Sequence, residues 1–170
     1  MSNTCFCTMK VVAKSRDTLL RVGKIFREED PEYALAYADD GFEMTAGPKE
    51  SGDGLWEAVF EGAMRNSGAG AFEPYEEEVV LPGGTARLAS FPELCRKLGF
   101  GVEYWGKEPG CCFQEHFAMT AGGRLVADES LEWTQDWEDD DGNQLDDPIE
   151  SGGFGERYET FFSPKYIYGK

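Results

Sequence analysis

The chain is poor in positive charge and almost without histidine. Its 170 residues hold one histidine, His116, and 16 Lys and Arg against 33 Asp and Glu, for a formal net charge of −17. A surface that holds nucleic acid by neutralising phosphates needs a Lys/Arg surplus, so the composition excludes a protein of that kind. The same deficit disfavours adsorption to an anionic membrane. Long apolar runs are also missing. No segment approaches the ~18 residues of a membrane span, and no basic-then-apolar signal opens the chain, so a cytoplasmic protein is expected. G-x-S-x-G, the P-loop, H-E-x-x-H and G-x-G-x-x-G are all absent. Carboxylate pairs are so frequent that none singles out a general acid and base. The expectation is a protein that is not an enzyme and carries no cofactor.

Cysteine is present in an odd number: Cys5, Cys7, Cys95, Cys111 and Cys112. With no export signal, a disulfide framework is not expected. Cys5 and Cys7 are two apart in a strand-like run and share a face. Neither cysteine spacing is C-x₂-C. Zinc could still recruit Cys5, Cys7, one of Cys111 and Cys112, and His116. The competing reading is small buried thiols. A Cys112–His116 nucleophile is opposed by distance, because an offset of four along a strand separates them by ~13 Å.

What remains is a well-patterned chain. Its 41% hydrophobic and 14% aromatic content is enough for a packed core. Residues 5–13 alternate as a strand. Ser15 or Asp17 can cap a helix to about Glu28, with Leu19, Val22, Ile25 and Phe26 on one side. Leu55, Trp56, Val59, Phe60 and Met64 form a stripe at helical spacing, which predicts an amphipathic helix over 53–66. Residues 75–81 read as a strand carrying Glu76, Glu77 and Glu78. Ser90 and Glu93 form a capping-box pair at the start of a helix that Gly99 ends. Strands then follow over 100–105, 112–120 and 125–133, with a hairpin turn at 121–124, as an antiparallel meander.

Residues 93–128 read ELCRKLGFGVEYWGKEPGCCFQEHFAMTAGGRLVAD, and the chain opens Met1-Ser2-Asn3-Thr4-Cys5 before its first strand. This helix, strand, Glu-Pro-Gly turn, aromatic strand and glycine hairpin resembles the C-terminal half of the YubB-type ferredoxin-like family, and the opening is similar to that family's Met-Pro-Asn-Trp-Cys start. The resemblance implies an α+β fold, a ferredoxin-like antiparallel sheet with helices packed on one face. It also implies the company of phages and other mobile elements. The expected organisation is a single domain over 1–170. Residues 1–30 and 85–133 form its core, 31–84 an inserted middle segment with the amphipathic helix, and 134–170 an acidic loop and aromatic C-terminal extension that packs back onto the domain.

The acid is unevenly placed. Residues 125–156 hold twelve Asp and Glu and no Lys or Arg. Asp139, Asp141, Asn143, Leu145, Asp147 and Glu150 fall at the ligand positions of a calcium-binding loop, but Gln144 stands where glycine is required and Pro148 breaks the exit. A charge of −17 exceeds the magnitude of roughly 2–8 that solubility asks of a small domain. A dense negative face interleaved with aromatic anchors suits a basic cleft. The candidate partner-binding residues are Glu132, Trp133, Asp136, Trp137, Glu138, Asp139, Asp140 and Asp141, with Glu76, Glu77 and Glu78 as a second surface. These features imply an anti-CRISPR or antirestriction inhibitor. It would fill the basic nucleic-acid channel of a host defence complex as a DNA mimic, with no direct contact to nucleic acid or membrane. The competing reading is an accessory module that binds a protein partner through its sheet edge or aromatic tail, or a metal-binding module.

Overall fold

Alternation of Cys5, Cys7, Met9 and Val11 with Phe6, Thr8 and Lys10 makes β1 (Thr4–Ala13) the strand around which the fold is built. The computed structural model describes residues 3–75, 79–82, 84 and 86–169. After β1 come α1 (Arg16–Phe26), β2 (Tyr33–Leu35), β3 (Ala38–Gly52), β4 (Leu55–Arg65), β5 (Arg87–Ala89) and α2 (Phe91–Leu98). They are followed by β6 (Phe100–Glu108), β7 (Phe113–Met119), β8 (Leu125–Glu138), β9 (Gln144–Gly152) and α3 (Pro164–Tyr168). The fold is α+β. Seven strands form one antiparallel sheet in the order β3-β4-β1-β6-β7-β8-β9, while β2 and β5 pair in parallel beside it.

The sheet has two differently covered faces. The odd-numbered residues of β1 join Leu19, Val22, Ile25 and Phe26 of α1 and Leu94 and Cys95 of α2 in one core, so both helices lie on the same face. Ser15 caps α1 by accepting from the Thr18 amide. Gly99 ends α2 in the left-handed region at φ 72°, a conformation that glycine adopts without strain. On the opposite face Val12 packs with Leu55 and Ile167. There residues 153–169 form a strap across the strands, as the aromatic density of the tail leads one to expect.

Four expectations are corrected. The segment expected as an amphipathic helix over 53–66 instead forms strand β4, Leu55–Arg65. Gly52, Asp53 and Gly54 all have positive φ and close the β3–β4 hairpin, and β4 then pairs with β3 on one side and β1 on the other. Two ladders satisfy its backbone, and Ala58, Phe60 and Met64 still reach the helical core from alternate positions. The stripe at 3–4 spacing was equally compatible with period two, and tertiary pairing decided between them. Residues 38–65, expected within an insertion, thus supply two strands of the sheet. The acidic segment after 134 is likewise no loop, because β8 runs on to Glu138 and β9 returns alongside it. Pro148 is tolerated because β9 is an edge strand. Finally, the side chain of Ser90 makes no cap bond; Glu93 pairs instead with Arg87 and Lys97.

Candidate functional site

The acidic residues are carried on an arm. β8 pairs with β7 only as far as Glu132, opposite Phe113. From Trp133 to Glu138 its ladder partner is β9 alone, with Thr134 opposite Ser151, Gln135 opposite Glu150 and Asp136 opposite Ile149. The β8–β9 hairpin therefore continues past the end of β7. Its tip is locally ordered. Asp139 Oδ1 accepts from the amides of Asp141 at 2.9 Å and Asn143 at 2.8 Å, and Oδ2 from Asn143 Nδ2 at 3.0 Å. These donors, Asn143 first, hold the Asp139 carboxyl below the usual carboxylate range, so it stays ionised. Asp136, Glu138, Asp140, Asp141, Asp146, Asp147 and Glu150 are exposed. Among the described residues none of these carboxylates, nor Asp139, has an ion-pair partner, so the arm's charge is uncompensated.

The expected aromatic anchors separate. Trp137 is 47% exposed on the arm. Trp133 is 1% exposed and is corrected from an anchor to a core residue. It faces the strap side of the sheet, where Lys107 Nζ lies 5.9 Å from its ring and Gly153 closes over it. Glu132 is exposed at the base of the arm. Glu76, Glu77 and Glu78 lie outside the described residues.

The metal readings find no geometry. Gln144–Gly152 is a strand and Glu150 faces Gln135 across the ladder, so the six calcium-loop positions do not converge. Cys5 and Cys7 point into the helical core, whereas His116 lies on the strap face. Burial pushes both thiols up, away from the thiolate that zinc requires. Both ring nitrogens of His116 are occupied by carboxylates, so it is not available to Cys112. Among the described residues no group of three or more His, Cys, Asp or Glu could hold a metal ion.

The sequence reading missed two buried polar clusters. Beneath the strap, His116 (1% exposed) stacks on Trp105 with ring centroids 3.8 Å apart. Its Nε2 meets Glu103 Oε2 at 2.7 Å and its Nδ1 meets Glu129 Oε2 at 2.9 Å. Glu103, fully buried, also accepts from the Phe162 amide at 2.6 Å, and Arg157 of the strap donates to Glu129 at 3.1 Å. On the helical face, Glu115 accepts from Tyr104 Oη at 2.8 Å and from Ser67 Oγ and the Gly68 amide, both at 2.6 Å. That carboxylate pins the 66–70 loop to the sheet. The available signal was Glu103, Glu115 and His116 standing inside otherwise apolar strands, where a charged residue is expected to be paired.

The His116 bond, with Arg157 behind it, holds the Glu129 carboxyl below its ordinary value. A depressed carboxylate stabilises the fold above its unfolded value, and that contribution is lost as pH falls through the folded one. Glu129 is 41% exposed, so solvent limits the contribution to about 1 kcal/mol or less. Glu129→Gln should therefore lower the urea midpoint modestly at pH 7, with the gap to the parent protein closing below about pH 4.5. A gap that widened on acidification would contradict this assignment.

No helix among the described residues is long and apolar enough to cross a membrane. No family model matches the chain, and no curated protein or solved structure is detectably similar to it.

Proposed function

We propose that this is a non-enzymatic acidic binding protein, borne by a phage or other mobile element, that inhibits a host defence complex by occupying its basic nucleic-acid channel. The observation that carries the reading is the β8–β9 arm. It is an ordered two-stranded projection whose carboxylates, apart from half-buried Asp139, are exposed and have no ion-pair partner among the described residues, with Trp137 as an apolar contact. Like charge at this density opposes folding, so solubility alone gives no reason to concentrate it on one hairpin. A restriction endonuclease or CRISPR effector keeps a cationic groove for a polyanion, and an acidic arm complements that groove in charge and elongation.

The strand order supports a ferredoxin-like core within this reading. β1, α1, β3, β4, α2 and β6 come in that order along the chain, with the short β2 and β5 between them, and β3-β4-β1-β6 are neighbours in the sheet. β7, β8 and β9 then extend the sheet outward to the arm. The competing reading through the aromatic tail is weakened, because Phe154 and Ile167 are buried against the protein's own sheet.

The test is competition with duplex DNA for purified restriction and CRISPR effector complexes at two salt concentrations. Displacement of DNA that weakens at high salt, and is lost when Asp139, Asp140 and Asp141 are reversed to Lys, is expected. Salt-independent binding, or binding indifferent to the reversal, would sink the mimic.

A further inference from the structure

The end of β8 remote from the arm is chemically its opposite. Where α3 docks beside the β7–β8 turn, an open cavity of about 380 Å³ is lined by Arg124, Val126, Ser163, Lys165, Tyr166 and Gly169. The size falls within the range of small-molecule sites, about 300–1,000 Å³. Among the described residues, neither the Arg124 guanidinium nor the Lys165 ammonium has a carboxylate partner, although acids outnumber bases two to one in this chain. The two cations line the same concavity, and together they define a local positive site.

The other walls specify the rest of a ligand. The Tyr166 ring is 51% exposed and is braced from behind by Phe162, with ring centroids 4.8 Å apart. Val126 adds an apolar surface. The Ser163 oxygen accepts from the Tyr166 amide at 3.3 Å, which leaves its hydroxyl proton free to donate. The arm does not cancel this site. β8 has 14 residues, so at ~3.3 Å each the arm's tip lies ~40 Å away, several times the ~8 Å screening length at physiological ionic strength.

We infer that this cavity binds a small organic anion with a planar ring. The anionic group lies between Arg124 and Lys165, with Ser163 as a further donor, and the ring lies on Tyr166. A nucleoside monophosphate and an aromatic carboxylate share this chemistry, and the inference is independent of the arm's proposed role.

Titration calorimetry of the whole protein with adenosine monophosphate, benzoate, adenosine and inorganic phosphate tests it. The backbone NMR shifts of Ser163, Tyr166 and Arg124 locate any binding. Saturable binding of adenosine monophosphate or benzoate is expected, with shifts at those residues; which of the two binds identifies the source of the anion. Adenosine and inorganic phosphate should each bind about tenfold more weakly or worse, since each lacks one half of the recognition. Arg124→Glu with Lys165→Glu should abolish binding, and Tyr166→Ala should weaken ring-bearing anions while leaving phosphate unchanged. All three positions are exposed, so the fold should persist, and an unchanged circular dichroism spectrum checks this. Absence of saturable binding by either ring-bearing anion would overturn the inference. So would adenosine binding as well as its monophosphate, or a charge-reversed protein binding like the parent.

Discussion

A chain ended at Gly153 is expected to lose most of its stability. The strap places Phe154 edge-on against Trp105 at 5.0 Å and seats Ile167, fully buried, on Val12 and Leu55. Each such side chain contributes roughly 1.5–3 kcal/mol by burial. Truncation also removes the Phe162 amide from Glu103 and the Phe154 amide from Gln114, leaving buried acceptors with fewer partners. Against a typical domain stability of about 5–15 kcal/mol, the combined loss is most of the total. In urea denaturation the truncated chain should unfold at a far lower midpoint or without cooperativity. Its tryptophan emission should move to the red as Trp105 meets water. A truncated protein with the parent's midpoint would show that the tail is an appendage, available for outside partners.

The second large effect is expected at the buried triad. Glu103→Ala leaves the His116 Nε2 and the Phe162 amide without their acceptor in a site that water does not reach. Breaking a buried pair by removing one partner costs about 3–5 kcal/mol, and His116→Ala should cost a similar amount by stranding Glu103. The pair should not be additive. Glu103→Leu combined with His116→Leu removes both polar groups at once, so the double variant should be more stable than the sum of the single losses predicts. An apolar replacement of similar volume is often neutral. Thermal unfolding of Glu103→Leu, His116→Leu and the double variant measures the coupling. Simple additivity would mean that the three groups do not act as one network.

Much of the core was legible because local and tertiary preferences agree there. β1, α1, α2 and the meander from β6 to β8 each carry the periodicity of the element they form, with a cap, a glycine stop or a hairpin turn at the boundary. β4 was not legible. Its Leu55, Trp56, Val59, Phe60 and Met64 fit a helical face, and only pairing with β1 and β3 makes it a strand. The informative signal was the Gly52-Asp53-Gly54 turn, which marks a hairpin more strongly than the stripe marks a helix. β9 was hidden by Pro148 and by acids that lower strand propensity; its status as an edge strand permits both. At the candidate site, the acidic density was plain but its shape was not. Trp133 and Trp137 lie on the same strand with similar surroundings in sequence, yet one is sealed at the base of the arm and the other stands on it. The triad of Glu103, His116 and Glu129 joins three strands of the meander, and the sequence shows these strands as neighbours but not the register that brings the three side chains together.

The central claim is that the arm carries the protein's binding activity, and shortening the arm addresses it most directly. Residues 135–150 can be replaced by Asn-Gly, the preferred two-residue hairpin turn, joining Thr134 to Ser151, which already face each other across the ladder. The sheet, the triad and the strap are left in place, so the urea midpoint should change little. Affinity for any restriction or CRISPR complex that the intact protein is found to displace from DNA should fall on the order of a hundredfold, and its salt dependence should largely disappear. A shortened protein that folds and still displaces DNA at the parent's affinity would contradict the account.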